Sequence, residues 1–292
     1  FHEGLMMVQE SEKKGRVWQT GSWQRSVANF HQACEIVRNG RIGKVTSIEV
    51  GLPGGFYTLK DPEKQLKVTD PPATLFYDRW LGPAPEAPYC EARVHVNWRW
   101  NLDYAGGQLM DWIGHHVDIA HWGMGWDDSG PVEVEGVGEY PPRTDLFNAA
   151  KKYKVQCLYP DGTRITIAGG YPEIKGGTKW IGEKGWVHVD RGRIDANPKS
   201  LLTEPIGENE IHLKKNNDAH GHYEEFVECV KTRGKTLTPA SVALHSATPG
   251  WLGQIAMLTG RKIHWDPKKM EIVGDDEAAK LLSRNMRSPY RL

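Results

Sequence analysis

Gly106-Gly107-Gln108-Leu109-Met110-Asp111-Trp112-Ile113-Gly114-His115-His116-Val117-Asp118-Ile119-Ala120-His121-Trp122 reads as one helix. At about 100° per residue, Asp111, His115, Asp118 and Trp122 fall on a single stripe, at i, i+4, i+7 and i+11. Two carboxylates bracketing an imidazole can orient and tune a proton-transfer group near neutral pH. The same spacing also serves a structural bond from the histidine to an aspartate one turn away. Spacing alone leaves both readings open. His116 and His121 crowd the same helix, where three apolar turns would have served packing better.

Working outward, the segments on either side set the fold class. Downstream, 131–195 reads as a meander with strands over 132–137, 153–159, 164–168, 178–181, 185–190 and 193–195. Asp161-Gly162, Glu183-Lys184-Gly185 and Arg191-Gly192 supply the turns. Such a sheet packs one face on helices, and its other face is solvated or buried on another subunit. Upstream, 3–14 reads as a helix stopped by Gly15, 16–21 as a short buried strand, and Ser22 to Arg25 as a polar loop. Residues 26–39 are an amphipathic helix with Val27, Phe30, Cys34 and Val37 at helical spacing. From Lys44 the period changes to two, which predicts a strand. Residues 52–94 are proline-rich and too long for a plain connection. Asp218 caps a helix with Tyr223, Phe226, Val227 and Val230 on its buried face. A helix over 239–259 is expected to kink or split at Pro249-Gly250, and a short helix follows near 275–282.

The 292 residues carry 37 basic and 37 acidic side chains, a formal net charge of zero. No basic stripe stands out, so neither nucleic acid nor an anionic membrane is an expected partner. No run approaches the roughly 18 apolar residues of a membrane span. The four cysteines are scattered without a CxxC pair, as free thiols in a reducing compartment would be. Twelve tryptophans are many. Indoles beside His and Asp line sugar sites, because C–H faces stack on the ring, although core anchoring is the commoner use.

Arg93 to Trp100 alternates in sequence. His95, Asn97 and Arg99 would point one way, as a polar face able to bind hydroxyls, and Val94, Val96, Trp98 and Trp100 the other. A half-exposed strand with an apolar underside reads equally well. His115, Asp118 and His121 are metal-ligand types, but His121 lies off the stripe and no HExxH or CxxC accompanies them, so no metal is expected. Nor is there a glycine-rich strand-to-helix turn, a Walker motif or a GxSxG elbow.

Taken together, several stretches resemble the glucose-fructose oxidoreductase, inositol dehydrogenase and MocA (Gfo/Idh/MocA) family. They are Gln19-Thr20-Gly21-Ser22-Trp23-Gln24-Arg25-Ser26, Val37 to Val45, Trp80-Leu81-Gly82-Pro83, Trp98-Arg99-Trp100, the Gly107-Gln108-Leu109-x-Asp111-x-x-x-His115-x-x-Asp118 run, Gly185-Trp186 and Trp265-Asp266-Pro267. The resemblance covers essentially the whole chain. It implies an α/β fold, with an α+β C-terminal domain of open, mostly antiparallel sheet packed on helices. The last helix-strand-helix of a Rossmann-type domain would precede that domain. Residues 1–25 would then be the end of a nucleotide-binding domain, 26–264 the substrate-binding and oligomerisation domain, and 265–292 a tail packing back.

The resemblance also implies NAD or NADP as cofactor and a sugar or polyol as substrate. His115 would take a hydroxyl proton as hydride leaves the same carbon for the nicotinamide, and Asp111 would orient and charge-balance it. His95, Trp98, Trp100, Tyr104 and Asp118 would line the substrate side, and Trp23 and Arg25 the cofactor side. The family's dinucleotide fingerprint and Glu-Lys-Pro lysine have no match here, and both are expected upstream of Phe1. A gene fragment, a proteolysed sample, a separate Rossmann subunit and a sugar-binding remnant are each compatible with that. The chain alone is expected to bind NAD poorly and not to turn over. Copies are expected to pair through the open sheet face. An NAD-assisted glycoside hydrolase and a non-catalytic sugar-binding or scaffold subunit are the competing functions. The expected compartment is the cytoplasm, or the periplasm if an export signal precedes Phe1.

Overall fold

The structure is a computed structural model that describes residues 1–55, 57–216 and 218–292. It opens with α1 (His2–Lys13), whose Leu5 and Val8 lean on the core while Met6 and Met7 face out. No strand forms over 16–21, where the sequence predicts one. Backbone groups there are served by loops and hydroxyls: the Thr20 N–H donates to the Thr238 carbonyl at 2.8 Å, and the Thr236 hydroxyl to the Trp18 carbonyl. A segment satisfied this way needs no ladder. The polar loop that follows is a 3-10 turn, Trp23–Ser26, and its Gln24, Arg25 and Ser26 are buried.

Next come α2 (Ala28–Arg38) and β1 (Val45–Leu52). The proline-rich stretch holds two short helices, α3 (Pro62–Gln65) and α4 (Tyr77–Leu81). Helix α5 (Gly107–Met124) carries the Asp111/His115 run and stops at Gly125, whose left-handed φ of +75° suits a residue without a Cβ. Six strands follow: β2 (Glu133–Glu139), β3 (Lys152–Leu158), β4 (Arg164–Gly169), β5 (Gly177–Gly182), β6 (Gly185–Asp190) and β7 (Arg193–Asn197). The chain finishes with α6 (Ala219–Thr232), α7 (Ala240–Thr259), β8 (Ile263–Asp266), β9 (Glu271–Ile272) and α8 (Asp276–Lys280).

One sheet collects the strands in the order β7-β6-β5-β1-β4-β3-β2-β8-β9. The expected meander is therefore split: β1 inserts between β4 and β5, parallel to the first and antiparallel to the second. The other pairs are antiparallel. Register explains the insertion. Val155, Ile167, Val50, Thr178 and Val189 lie side by side across five strands, and so do Cys157, Ile165, Ile48, Trp180 and Val187. All ten are buried. A one-residue slip in any strand would turn its share of this face to water. The opposite face carries Glu49, Lys154 and Lys179.

Helices α2, α5 and α7 cover the apolar face. Gly123 lets α5 lie flat on β5, since a Cβ there would sit 2.8 Å from the Trp180 ring. Helix α7 runs unbroken through Pro249, so the predicted split does not occur. Leu244, Thr248, Gly250 and Leu252 are buried, and packing on both sides of the proline holds the helix together.

Helix α6 reverses a sequence expectation. Tyr223, Phe226, Val227 and Val230 do share a face, but that face is exposed, Tyr223 by 71%. The buried face is polar. His222 meets the Ser26 hydroxyl at 3.0 Å and the Thr20 carbonyl at 3.1 Å. Glu225 accepts from Lys214 Nζ, from the Leu237 N–H at 2.8 Å, and from the Gln19 and Asn216 amides at 3.2 Å each. Polar groups so fully served can displace apolar ones from an interface.

Candidate active site

Helix α5 dips from solvent into the core, so its stripe does not form one site. Asp111 is exposed and His115 half-buried, whereas Asp118 and Trp122 are enclosed. Burial, more than angular position, sorts the four residues into different roles.

His115 lies where α5 passes the Trp23–Ser26 turn and the hairpin joining β6 to β7. Its ring meets Trp112 edge-on, with centroids 5.4 Å apart. Its backbone carbonyl accepts from the Gln24 amide at 3.0 Å. The Nδ1 atom is enclosed and has no hydrogen-bond partner. A buried donor or acceptor left bare costs about 1–3 kcal/mol, and such atoms call for a reason. Burial holds the imidazole below its ordinary basicity and the nearby Arg191 cation lowers it further, while Asp111 pulls the other way. At neutral pH the ring is therefore uncharged and able to accept a proton.

Asp111 does not bond His115. It takes the Arg99 Nε hydrogen at 2.9 Å, and Arg99 also lies 5.0 Å from the Trp98 ring. Asp111 acts on the imidazole through space.

The structure divides the other sequence-predicted residues. Asp118 is wholly enclosed and accepts two 2.8 Å bonds from Arg25, which also reaches Asp127 at 2.8 and 3.1 Å. This internal ion cluster corrects the reading of Asp118 as a substrate ligand and of Arg25 as a cofactor ligand, because neither side chain has surface to offer. Arg93 to Trp100 is not a strand. Two 3-10 turns, Glu91–Arg93 and Asn97–Trp100, flank His95, whose φ of +60° breaks the extended course. His95 is exposed. Trp100 packs in a separate small cluster with Cys90, Ala92 and Phe147. Tyr104 accepts from Arg93 at 3.1 Å and lines a cavity of about 170 Å³ with Gly106, Trp251, Gln254 and Arg284. Trp23, in contrast, belongs to the His115 niche.

Three further residues build that niche. Buried Gln24 joins α5 to the hairpin, donating to the His115 carbonyl and accepting from Arg191 Nε at 3.0 Å. The Arg191 guanidinium carbon lies 5.0 Å from the Trp23 ring and 4.7 Å from the Trp112 ring. Trp112 in turn stacks on His116, centroids 6.0 Å apart. In the sequence Arg191 signals only a turn, and nothing local marks it as a neighbour of His115. His116 lies 3.6 Å from Asp190, yet burial keeps it neutral and outweighs that carboxylate. Among the described residues no group of three or more His, Cys, Asp or Glu could hold a metal ion.

Comparison with known proteins places this geometry. Residues 24–292 match the model of an oxidoreductase family, C-terminal alpha/beta domain. No curated protein matches the chain. The aldose-aldose oxidoreductase from Caulobacter crescentus, crystallised with glycerol, is 20% identical over 90% of this chain and 68% of its own, with a TM-score of 0.60. The WlbA dehydrogenase from Bordetella pertussis, in complex with NADH and UDP-GlcNAcA, is 18% identical over 91% and 68%, at 0.59. The myo-inositol 2-dehydrogenase from Lactobacillus plantarum is 14% identical over 90% and 70%, at 0.53. At these identities the likeness is one of fold.

Proposed function

Because the chain belongs to the Gfo/Idh/MocA family of NAD(P)-dependent oxidoreductases, we propose that it supplies the substrate side of a sugar or polyol oxidation, with His115 as the base. The observation that carries this reading is the state of His115: a half-buried imidazole held neutral by burial, with neither ring nitrogen bonded to a protein group among the described residues, so that Nε2, the one not enclosed, is free to accept. A ring so placed can take the proton of a substrate hydroxyl as the carbon beneath it is oxidised. Asp111 then stabilises the imidazolium from a distance. Trp23, half-buried beside it, offers ring surface to a sugar. The similar proteins named above act on, or were crystallised with, aldoses, glycerol, a nucleotide sugar or inositol, which supports the substrate class.

A nicotinamide cofactor would supply hydride acceptance. Its pyrophosphate finds no glycine-rich turn running from a strand straight into an α-helix among the described residues, so the residues present account for the proton and the sugar alone. On this reading 1–25 border the nucleotide side and 26–264 hold the substrate. The charged outer sheet face is where a second copy would pair. No helix of the described residues is long and apolar enough to cross a membrane.

The test is an NMR titration of the histidine imidazoles, with His115 assigned from His115→Gln. Methyl β-D-glucopyranoside or myo-inositol should move the His115 resonance, and its pKa should lie below the ordinary histidine value. A His115 signal blind to every sugar and polyol tried would end the reading.

A further inference from the structure

We propose that Arg191 is a specificity-determining residue of the His115 site, and that the substrate it selects is a sugar acid whose carboxylate docks on the outer edge of its guanidinium. This rests on His115 being the base.

The geometry leaves that edge as the one approach. The two indoles of Trp23 and Trp112 flank the guanidinium, at 5.0 and 4.7 Å from its carbon. Nε is committed to Gln24 Oε1 at 3.0 Å. Among the described residues nothing accepts from Nη1 or Nη2. Arg191 is an exposed residue, so a ligand can reach it from solvent. Two parallel N–H bonds in one plane match the two oxygens of a carboxylate. The two flanking indoles and the bond to Gln24 restrict the guanidinium in advance, so less rotamer entropy is lost on binding.

Charge balance points the same way. The other cations near the site are paired, Arg99 with Asp111 at 2.9 Å and Arg193 with Asp190 at 2.8 Å. His116 beside them is neutral. Arg191 alone lacks a carboxylate there, among the described residues. When His115 takes a proton it becomes an imidazolium facing that bare cation, an arrangement that opposes the transfer. A substrate carboxylate on Arg191 removes the opposition and makes His115 a stronger base. The anion therefore aids binding and proton transfer together. A phosphate dianion would call for a second unpaired cation, which the niche does not contain among the described residues.

The experiment titrates the 292-residue protein with methyl β-D-glucopyranosiduronate and with methyl β-D-glucopyranoside, by calorimetry and by the His115 imidazole resonance. The uronide should bind at least tenfold more tightly and raise the His115 pKa. In Arg191→Gln the uronide should fall to the level of the glucoside, and Arg191→Lys should recover part of the preference. Equal affinity of the two sugars, both moving His115, overturns the carboxylate assignment and leaves the oxidoreductase site standing. A uronide preference that survives in Arg191→Gln overturns it as well. If neither sugar moves His115, the reading of that residue falls, and this inference with it.

Discussion

Arg25 meets both oxygens of Asp118 at 2.8 Å in a fully enclosed pair that ties the Trp23–Ser26 turn to the middle of α5. Removing Arg25 leaves the Asp118 charge buried without its cation, which costs about 3–5 kcal/mol. Arg25→Met should therefore destabilise strongly in urea unfolding, because Asp118 has no water to turn to. Asp127, whose side chain is 41% exposed, can rehydrate and adds little to that loss. Arg25→Met combined with Asp118→Leu should recover most of the stability. A double variant as weak as the sum of the singles would disprove the pairing.

Stability should fall as pH drops below neutral, and two buried histidines, the most strongly shifted, contribute most to the slope. Burial pushes His121, bonded to the Tyr159 hydroxyl, down to about 3, and pushes His116 down to about 4. Both folded values lie below the unfolded one near 6.5. In that window the unfolded chain binds protons that the folded chain refuses, so stability is full above pH 6.5 and drains away as pH falls through the window. Each histidine contributes about 1.4 kcal/mol per pH unit there. Urea midpoints at pH 7, 6 and 5 measure this. His121→Asn should flatten the profile, relative to its own stability at pH 7.

The basicity of His115 should respond in opposite directions to the two members of the Asp111–Arg99 pair. Asp111 raises it. Asp111→Asn should lower the His115 pKa, and Arg99→Gln, which unmasks the carboxylate, should raise it, each by somewhere from a few tenths to about one unit. Imidazole titration by NMR reads both. Shifts of the same sign would show that Asp111 does not act on His115.

On α6 the apolar side is dispensable and the polar side is not. Val227→Ser, on the exposed face, should change stability by no more than about 0.5 kcal/mol. Glu225→Ala strips acceptors from Lys214, Leu237, Gln19 and Asn216 and should cost about 1–3 kcal/mol. Thermal unfolding of the two variants, made side by side, decides which face holds the helix.

The contrast on α6 shows where the sequence stops informing. Periodicity groups Tyr223, Phe226, Val227 and Val230 on one face, because helical geometry is local. Which way that face turns depends on partners from Gln19, Thr20, Ser26 and Leu237, distant in the chain. The same divide holds at the site. Asp111 and His115 are legible from their spacing, and the strands from alternation closed by glycine turns. Arg191 is not, since its place beside His115 arises only when the β6–β7 hairpin folds over α5. Alternation misleads at Arg93 to Trp100, where His95 takes a left-handed φ that no strand tolerates. The meander reading fails at β1 because a strand buried on one face reveals its period but not its neighbour.

Strands β1 and β4 are hydrogen-bonded neighbours at the centre of the sheet. Because the pair is parallel, with Ser47 opposite Arg164 and Leu52 opposite Gly169, everything from Pro53 to Thr163, including α5 with Asp111 and His115, is a long crossover that must return to the end of the sheet where β1 began. Closing such a crossover demands chain entropy before any contact rewards it, which makes the step slow. The residues of the niche come from outside and inside that crossover, since Gln24 precedes it, His115 lies within it and Arg191 follows it. The site is thus built wholly from long-range contacts, so no single segment of the chain can form it alone.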